Sequence, residues 1–201
     1  MTSAIRKIAF FDFDGTITQK DTLFELIKFV KGKAAMFFGL LLLSPWFGLF
    51  ILKLLPNWKL KQKVLSYFFR GMSAEAFQNY CGEFSNEALP KLLKRDALSQ
   101  IREFRTMGVQ VVIVTASAEN WVHPWCAAND IRVIGTRLEI VNSRLTGKLM
   151  GKNCYGSEKV ARISKEFDLS MFDEIICYGD SKGDQAMLEI ANSPNYKAFL
   201  K

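Results

Sequence analysis

From Ala34 to Leu52 the chain runs "AAMFFGLLLLSPWFGLFIL", 19 residues without a charge. Apolar runs of about 18 residues or more ordinarily cross a bilayer. A straight helix of this length would measure about 28 Å, close to the hydrocarbon thickness. Its neighbours restrict that choice. A short apolar stretch, "KIAFF" before Asp12, precedes the run, and "VQVVIVTAS" and "EIICYGD" follow it. Short apolar, β-branched runs of this kind suit buried parallel strands. They end on Asp12, Thr115 and Asp180. If those residues share a site, one crossing is excluded, because it would put Asp12 on one side of the membrane and the others across it. Two placements remain. Ser44-Pro45 splits the run into two helices of a re-entrant or surface-lying hairpin, or both pieces are ordinary helices packed on a core.

Charge bears on the same question. Lys28, Lys31, Lys33, Lys53, Lys59, Lys61, Lys63 and Arg70 lie between residues 28 and 70, with no Asp or Glu among them. This segment therefore carries +8 of a chain whose net charge is +7, and the remainder sums to −1. Lysines on both sides of the run fit two ends on one cytoplasmic face, and basic residues beside apolar surface suit anionic lipid. Nucleic acid also attracts such charge, but the segment lacks polar base-reading residues, so no nucleic-acid partner is expected. Before Asp12 the apolar stretch is too short for a secretory signal, and a cytoplasmic active domain is expected, peripheral or re-entrant at the inner membrane face. Cys81, Cys126, Cys154 and Cys177 are widely spaced and read as reduced thiols. Only Cys154 falls in a polar stretch.

The periodicities outside the run are those of one α/β domain with an insert. Helical spacing is expected at about 21–31, 58–69, 73–89 and 91–107, the last stopped by Gly108. Then strands alternate with helices: a helix at 118–130 containing Pro124, a hairpin turning at Asn142-Ser143, helices at 157–169 and 184–191, and a last strand in "YKAFL". Alternation implies a doubly wound parallel sheet. The expected organisation is a catalytic core at 1–16 and 101–201, with an all-helical cap at 17–100. Ligands bind such sheets beyond the carboxyl ends of the strands.

Four groups stand at those ends. Asp12 and Asp14 are two carboxylates so close that a cation between them would ease their repulsion; the plainer reading is an Asp-Gly turn. Thr115-Ala116-Ser117 sets hydroxyls and backbone N–H groups at the mouth of the next helix, an anion site or a simple cap. Lys159 lies in a first helical turn, where a cation opposes the helix dipole unless an anion faces it. Asp180 and Asp184 flank Gly183 after Gly179, and carboxylates of this kind hold hard cations such as Mg²⁺. Singly each has a structural explanation; in this order, each at or just after a strand, they point to one site.

"FFDFDGT", "VVIVTAS", Lys159 and "GDSKGDQAM" resemble the four motifs of the haloacid dehalogenase superfamily of phosphatases. The helical insert is similar to the C1 cap of the branch that includes phosphoserine phosphatase, and its long basic, apolar segment resembles phosphatidylglycerophosphatase C-like proteins. The resemblance implies a Rossmann-like core and a Mg²⁺-dependent phosphatase that forms an aspartyl-phosphate. Asp12 would be the nucleophile and Asp14 the general acid and base. Asp12, the Asp14 backbone carbonyl and Asp180 would hold the metal, with Asp184 in support. Thr115, Ala116 and Lys159 would hold the phosphoryl group. The resemblance also implies the candidates for substrate specificity: Asp21 and Lys63 stand near the cap glutamate and arginine with which phosphoserine phosphatase holds its substrate's amine and carboxylate. The expected substrate is a phosphate monoester on a lipid such as phosphatidylglycerophosphate. A soluble phosphoserine-type substrate is the alternative, and a non-catalytic membrane-associated adaptor the reading from another class. Leaving group and oligomeric state are left open.

Overall fold

The computed structural model describes residues 5–199. Five parallel strands form one sheet: β1 (Lys7–Phe11), β2 (Gln110–Ala118), β3 (Arg132–Thr136), β6 (Glu174–Gly179) and β7 (Ser193–Tyr196), in the order β3-β2-β1-β6-β7. The chain builds outward from β1 on one side, then returns to extend the other. The reversal places a crevice at the carboxyl end of β1, where such sheets bind ligands.

Alternation along the strands sorts the core into two faces. Ala9, Phe11, Val111, Ile113, Ile176 and Tyr178 enter one apolar cluster, which also takes Ile101 of α5 (Arg95–Thr106) and Trp121 of α6 (Glu119–Ala128). Ile8, Phe10, Val112, Val114, Ile175 and Cys177 enter the other, with Ile163 of α7 (Ser157–Glu166) and Met187 of α8 (Gln185–Glu189). The result is a three-layer α/β domain.

Four helices fill the chain between β1 and α5: α1 (Thr22–Leu42), α2 (Ser44–Ile51), α3 (Asn57–Phe69) and α4 (Ala74–Glu87). Their inward side chains, among them Leu26, Phe69 and Phe84, belong to the same cluster as the first sheet face. A hairpin, β4 (Leu138–Val141) and β5 (Arg144–Leu149), closes against them. The Gly71 N–H donates to the Leu145 carbonyl and the Leu145 N–H to the Met72 carbonyl, at 2.8 and 2.9 Å. Asn142 and Ser143 both take positive φ, 47° and 57°, as a tight hairpin turn requires.

The apolar run does not form one straight helix. Gly32, at φ 82° and ψ 160°, kinks α1 near its middle, and α2 leaves α1 at 57° after Leu43. Pro45 sits in the first turn of α2, where its missing N–H costs nothing. Among the described residues, no single helix is long and apolar enough to cross a membrane.

Two local expectations are corrected, those for the final strand and for the helix at 91–107; β3 was not among the expected elements. The strand β3 takes "RVIGT", a stretch too short and too charged at its start to carry a period-2 signal. The final strand is Ser193–Tyr196 rather than "YKAFL", so it begins earlier; Pro194 is tolerated because β7 is an edge strand. The helix expected at 91–107 divides into a 3₁₀ turn, Leu89–Leu92, and α5, since Leu93 and Lys94 are extended. Cys154 is buried despite its polar surroundings, like the other three free cysteines.

Candidate active site

β1 delivers Asp12 to the crevice, and the turn after it delivers Asp14. Gly15 makes that turn possible. Its φ is +81°, and a Cβ there would lie 2.2 Å from Asp180 Oδ2, so a side chain at this position would displace the aspartate from the end of β6.

Asp12 is buried, and its Oδ1 accepts from Lys159 Nζ at 2.5 Å. The same ammonium donates to Asp184 Oδ1 at 2.6 Å and to the Val114 carbonyl at 2.6 Å. Lys159 is only 1% exposed. Two carboxylates thus answer the objection that a cation opposes the first turn of α7. Burial lifts the Asp12 carboxyl from 3.8 to about 7, against the pull of Lys159, and the neighbouring Asp184 and Asp14 add to the rise. For Lys159, burial favours the neutral amine, but Asp12 and Asp184 outweigh it and hold its pKa above the ordinary value.

Asp184 is held on all sides. Its Oδ2 accepts from the Ser181 hydroxyl at 2.8 Å and the Ser181 N–H at 2.9 Å. Burial raises its carboxyl, yet Lys159 and these bonds prevail and the pKa is lowered. Asp180 is half-buried; desolvation and the adjacent Asp184 raise its pKa. One carboxylate oxygen each from Asp12, Asp180 and Asp184 lies within 4.8 Å of the others. An all-oxygen set of this charge fits a hard divalent cation.

Asp14 points the other way. Its Oδ1 accepts from the Thr22 N–H at the start of α1 at 2.7 Å, and its Oδ2 from the Ser117 hydroxyl at 2.5 Å. Ser117 in turn lies 3.3 Å from the Thr22 hydroxyl, which accepts from the Trp121 indole at 3.0 Å. The chain Trp121–Thr22–Ser117–Asp14 locks this carboxylate away from the three-aspartate cluster. Thr115 is fully buried within β2, three residues before the strand's end, and its hydroxyl accepts from the Ser117 N–H at 3.0 Å.

The insert supplies the far wall. Asp21 caps α1, its Oδ1 accepting from the Leu23 and Phe24 N–H groups at 2.9 and 3.4 Å. Its side chain is open to solvent, but protein atoms crowd it, and that crowding together with Asp14 lifts its carboxyl to about 6. Lys63 is not in the site: its ammonium lies over the Trp46 ring, 4.3 Å from the centroid. The α3 lysine that reaches the crevice is instead Lys61, which donates to the Ala116 carbonyl at 2.8 Å and approaches Asn153 Oδ1 at 3.4 Å. Burial lowers its pKa; Asp14, Asp21 and Asp12 resist. Positions two apart on a helix face away from each other, so Lys61 and Lys63 cannot both line one wall. The Ala116 carbonyl also accepts from the Thr136 hydroxyl at 2.7 Å, so at least this polar group of Ala116 is engaged within the protein.

The site therefore brings together Asp12, Asp14, Thr115, Ala116, Lys159, Asp180, Asp184 and Asp21, and leaves Lys63 out. Sequence reasoning missed Lys61, Thr22, Asn153 and Lys94, whose ammonium donates to the Gly15 carbonyl. The only sequence signal for Lys61 was its place in the acid-free basic stretch. A cavity of ≈ 640 Å³, lined by Gln110 and Arg132 among others, opens at the amino ends of β2 and β3, remote from this chemistry.

Comparison with known proteins identifies the family and the fold. Protein CicA of Caulobacter vibrioides is 35% identical over 193 residues, spanning 94% of this chain and 85% of that protein. A protein of unknown function from Bordetella pertussis Tohama I has a similar fold, with a TM-score of 0.79 at 21% identity, covering 93% of this chain and 87% of that one. A phosphoserine phosphatase solved as an analogue of its phospho-aspartyl intermediate gives a TM-score of 0.66 at 17% identity, over 93% and 84% of the two chains. The family model of the haloacid dehalogenase-like hydrolases matches residues 9–189, and the chain belongs to that family.

Proposed function

We propose that the chain is a phosphatase that hydrolyses a phosphate monoester through an aspartyl-phosphate on Asp12. The observation that carries this reading is the buried Asp12 carboxylate, clamped through Oδ1 by Lys159 and grouped with Asp180 and Asp184. Asp12 attacks phosphorus in line, forming a P–O bond as the ester P–O bond breaks. Asp14 gives its proton to the departing alkoxide, then takes one from the water that attacks the aspartyl-phosphate. That second attack releases inorganic phosphate and restores both carboxylates to their starting states. Thr115, nearby backbone N–H groups and Lys159 hold the phosphoryl oxygens as their charge shifts. Lys159 also holds Asp12 in one orientation. Asp12, the Asp14 carbonyl and Asp180 would bind Mg²⁺, with Asp184 steadying the set. When bound, Mg²⁺ offsets the repulsion between the anionic nucleophile and the anionic ester.

The insert acts as a cap that chooses the leaving group. Its uncharged run and acid-free basic stretch favour a phosphomonoester of a glycerophospholipid, handled at the cytoplasmic face of an anionic membrane. The facing pair Asp21 and Lys61 favours the second reading, a small soluble substrate bearing an amine and a carboxylate. Hydrolysis of lipid and soluble monoesters, with and without Mg²⁺, separates the two. Asp12→Asn is expected to lower kcat by roughly 10³-fold or more. Full activity of that variant, or activity indifferent to chelation, would sink the mechanism.

A further inference from the structure

We infer that residues 33–59 form a docking arm that seats this protein on an anionic lipid surface by dipping into one leaflet. Between Gly32 and Lys59 only Gly39 and Leu43 are buried. The inner side chains Met36, Leu40, Trp46, Phe47 and Leu55 pack on the core. The outer ones face solvent: Phe37, Phe38, Leu41 and Leu42 are 58–67% exposed, and Ile51 and Leu52 are 76% and 68% exposed. Soluble monomers rarely leave contiguous apolar surface of this extent uncovered.

The surrounding charge indicates what covers it. Lys31 and Lys33 enter the arm, Lys53 follows Leu52, and Lys59 and Lys63 leave it, with no acidic residue from 28 to 70. The Lys59 ammonium lies over the exposed Trp58 ring, 5.4 Å from its centroid. Tryptophan and lysine side by side suit the headgroup level, with apolar side chains below them. A second copy of the chain would bring the same positive charge against itself, whereas an anionic bilayer complements it.

Length sets the depth. The 10 residues of α1 beyond Gly32 and the 8 of α2 extend about 15 and 12 Å, at most half of a hydrocarbon core of about 30 Å. The 57° bend between them makes a wedge rather than a span. Both ends of the arm return to the catalytic crevice: α1 starts beside Asp14, and α3 carries Lys61. A groove of ≈ 570 Å³ beside the arm is lined by Trp58, Tyr155 and Asn153 among others, and Asn153 Oδ1 lies 3.4 Å from the Lys61 ammonium. Docking would thus bring the crevice to the lipid surface. This consequence rests on the phosphatase reading; the docking itself does not.

Cosedimentation with vesicles tests it without catalysis. The protein is expected to pellet with vesicles of equal phosphatidylglycerol and phosphatidylcholine, and far less with phosphatidylcholine alone. Phe38→Glu with Ile51→Glu should lower binding to the anionic vesicles at least tenfold. Lys33→Gln, Lys53→Gln and Lys59→Gln together should lower it about 100-fold, from roughly fivefold each. All three lysines are exposed, so this second variant keeps its melting temperature even if the first does not. Hydrolysis of p-nitrophenyl phosphate stays unchanged in both; its absence in the parent protein would count against the phosphatase reading alone. Three results would overturn the inference: equal pelleting with both vesicle types, no pelleting, or a wild-type dimer in light scattering that the Glu variant dissociates.

Discussion

Asp12 is the residue on which the chemistry and the stability of the site meet. With its carboxyl lifted to about 7 by burial, the folded chain holds this proton more tightly than the unfolded chain, whose value is 3.8. Its contribution to stability is therefore complete below about pH 4 and is lost as pH rises through about 7. Asp21, lifted to about 6, acts in the same direction. Asp184 and Glu25 are lowered, so their contributions disappear only in acid, below the ordinary carboxylate range. In chelator, the melting temperature is expected to fall between pH 5 and 8. Added Mg²⁺ should recover more of it at pH 8 than at pH 5, because a cation takes the place of the proton. A scanning-fluorimetry matrix of pH against Mg²⁺ reads this directly, and an equal Mg²⁺ effect at both pH values would contradict it. Asp12, Asp14, Lys159, Asp180 and Asp184 were legible from residue order, because their spacing is tied to strand ends. Ser117 and Thr22 were not legible as partners of Asp14, because they lie 103 and 8 residues away and share no local signature.

At the scale of elements, α3 shows where one-dimensional reading stops. Lys61 and Lys63 are equivalent by composition, but a helix turns by about 200° between them. The apolar stripe of Leu60, Val64, Leu65 and Phe68 fixes which of the two faces the crevice. Lys61→Ala is expected to raise KM for the preferred substrate about tenfold, the scale of one charge-assisted hydrogen bond. Lys63→Ala should leave kcat and KM within about twofold and affect only the contact with Trp46. Steady-state kinetics of the two variants decides between them, and the reverse pattern would return Lys63 to the site. The elements most legible in advance were the central strands, whose apolar runs are burial signals on both faces. The edges were harder. β3 starts on an exposed arginine, and β7 contains a proline; each owes its place to a neighbour's hydrogen bonds rather than to its own pattern.

Across the whole molecule, one apolar cluster joins the sheet to the inserted helices, so the insert cannot loosen without disturbing the crevice. Phe84 of α4 is fully buried and meets Phe29 of α1 edge-on, with centroids 5.9 Å apart. Phe84→Ala should cost about 3–5 kcal/mol, lowering the melting temperature by about 10 °C for a chain of this size. Far-UV circular dichroism and residual activity should be lost in one coincident transition; two separated transitions would show that the insert unfolds alone. The sequence by itself determined the parallel α/β class and the order of the acidic and basic groups at the strand ends, and it excluded a single crossing by the apolar run on the condition that those groups share one site. Those follow from short-range periodicity and from the need for distant aspartates to meet. Only the tertiary structure decided which lysine enters the crevice, which hydroxyls hold Asp14, and which side of the apolar run stays exposed. Each of these depends on how a helix is rotated against its neighbours, and that rotation is set by packing contacts between residues far apart in the chain.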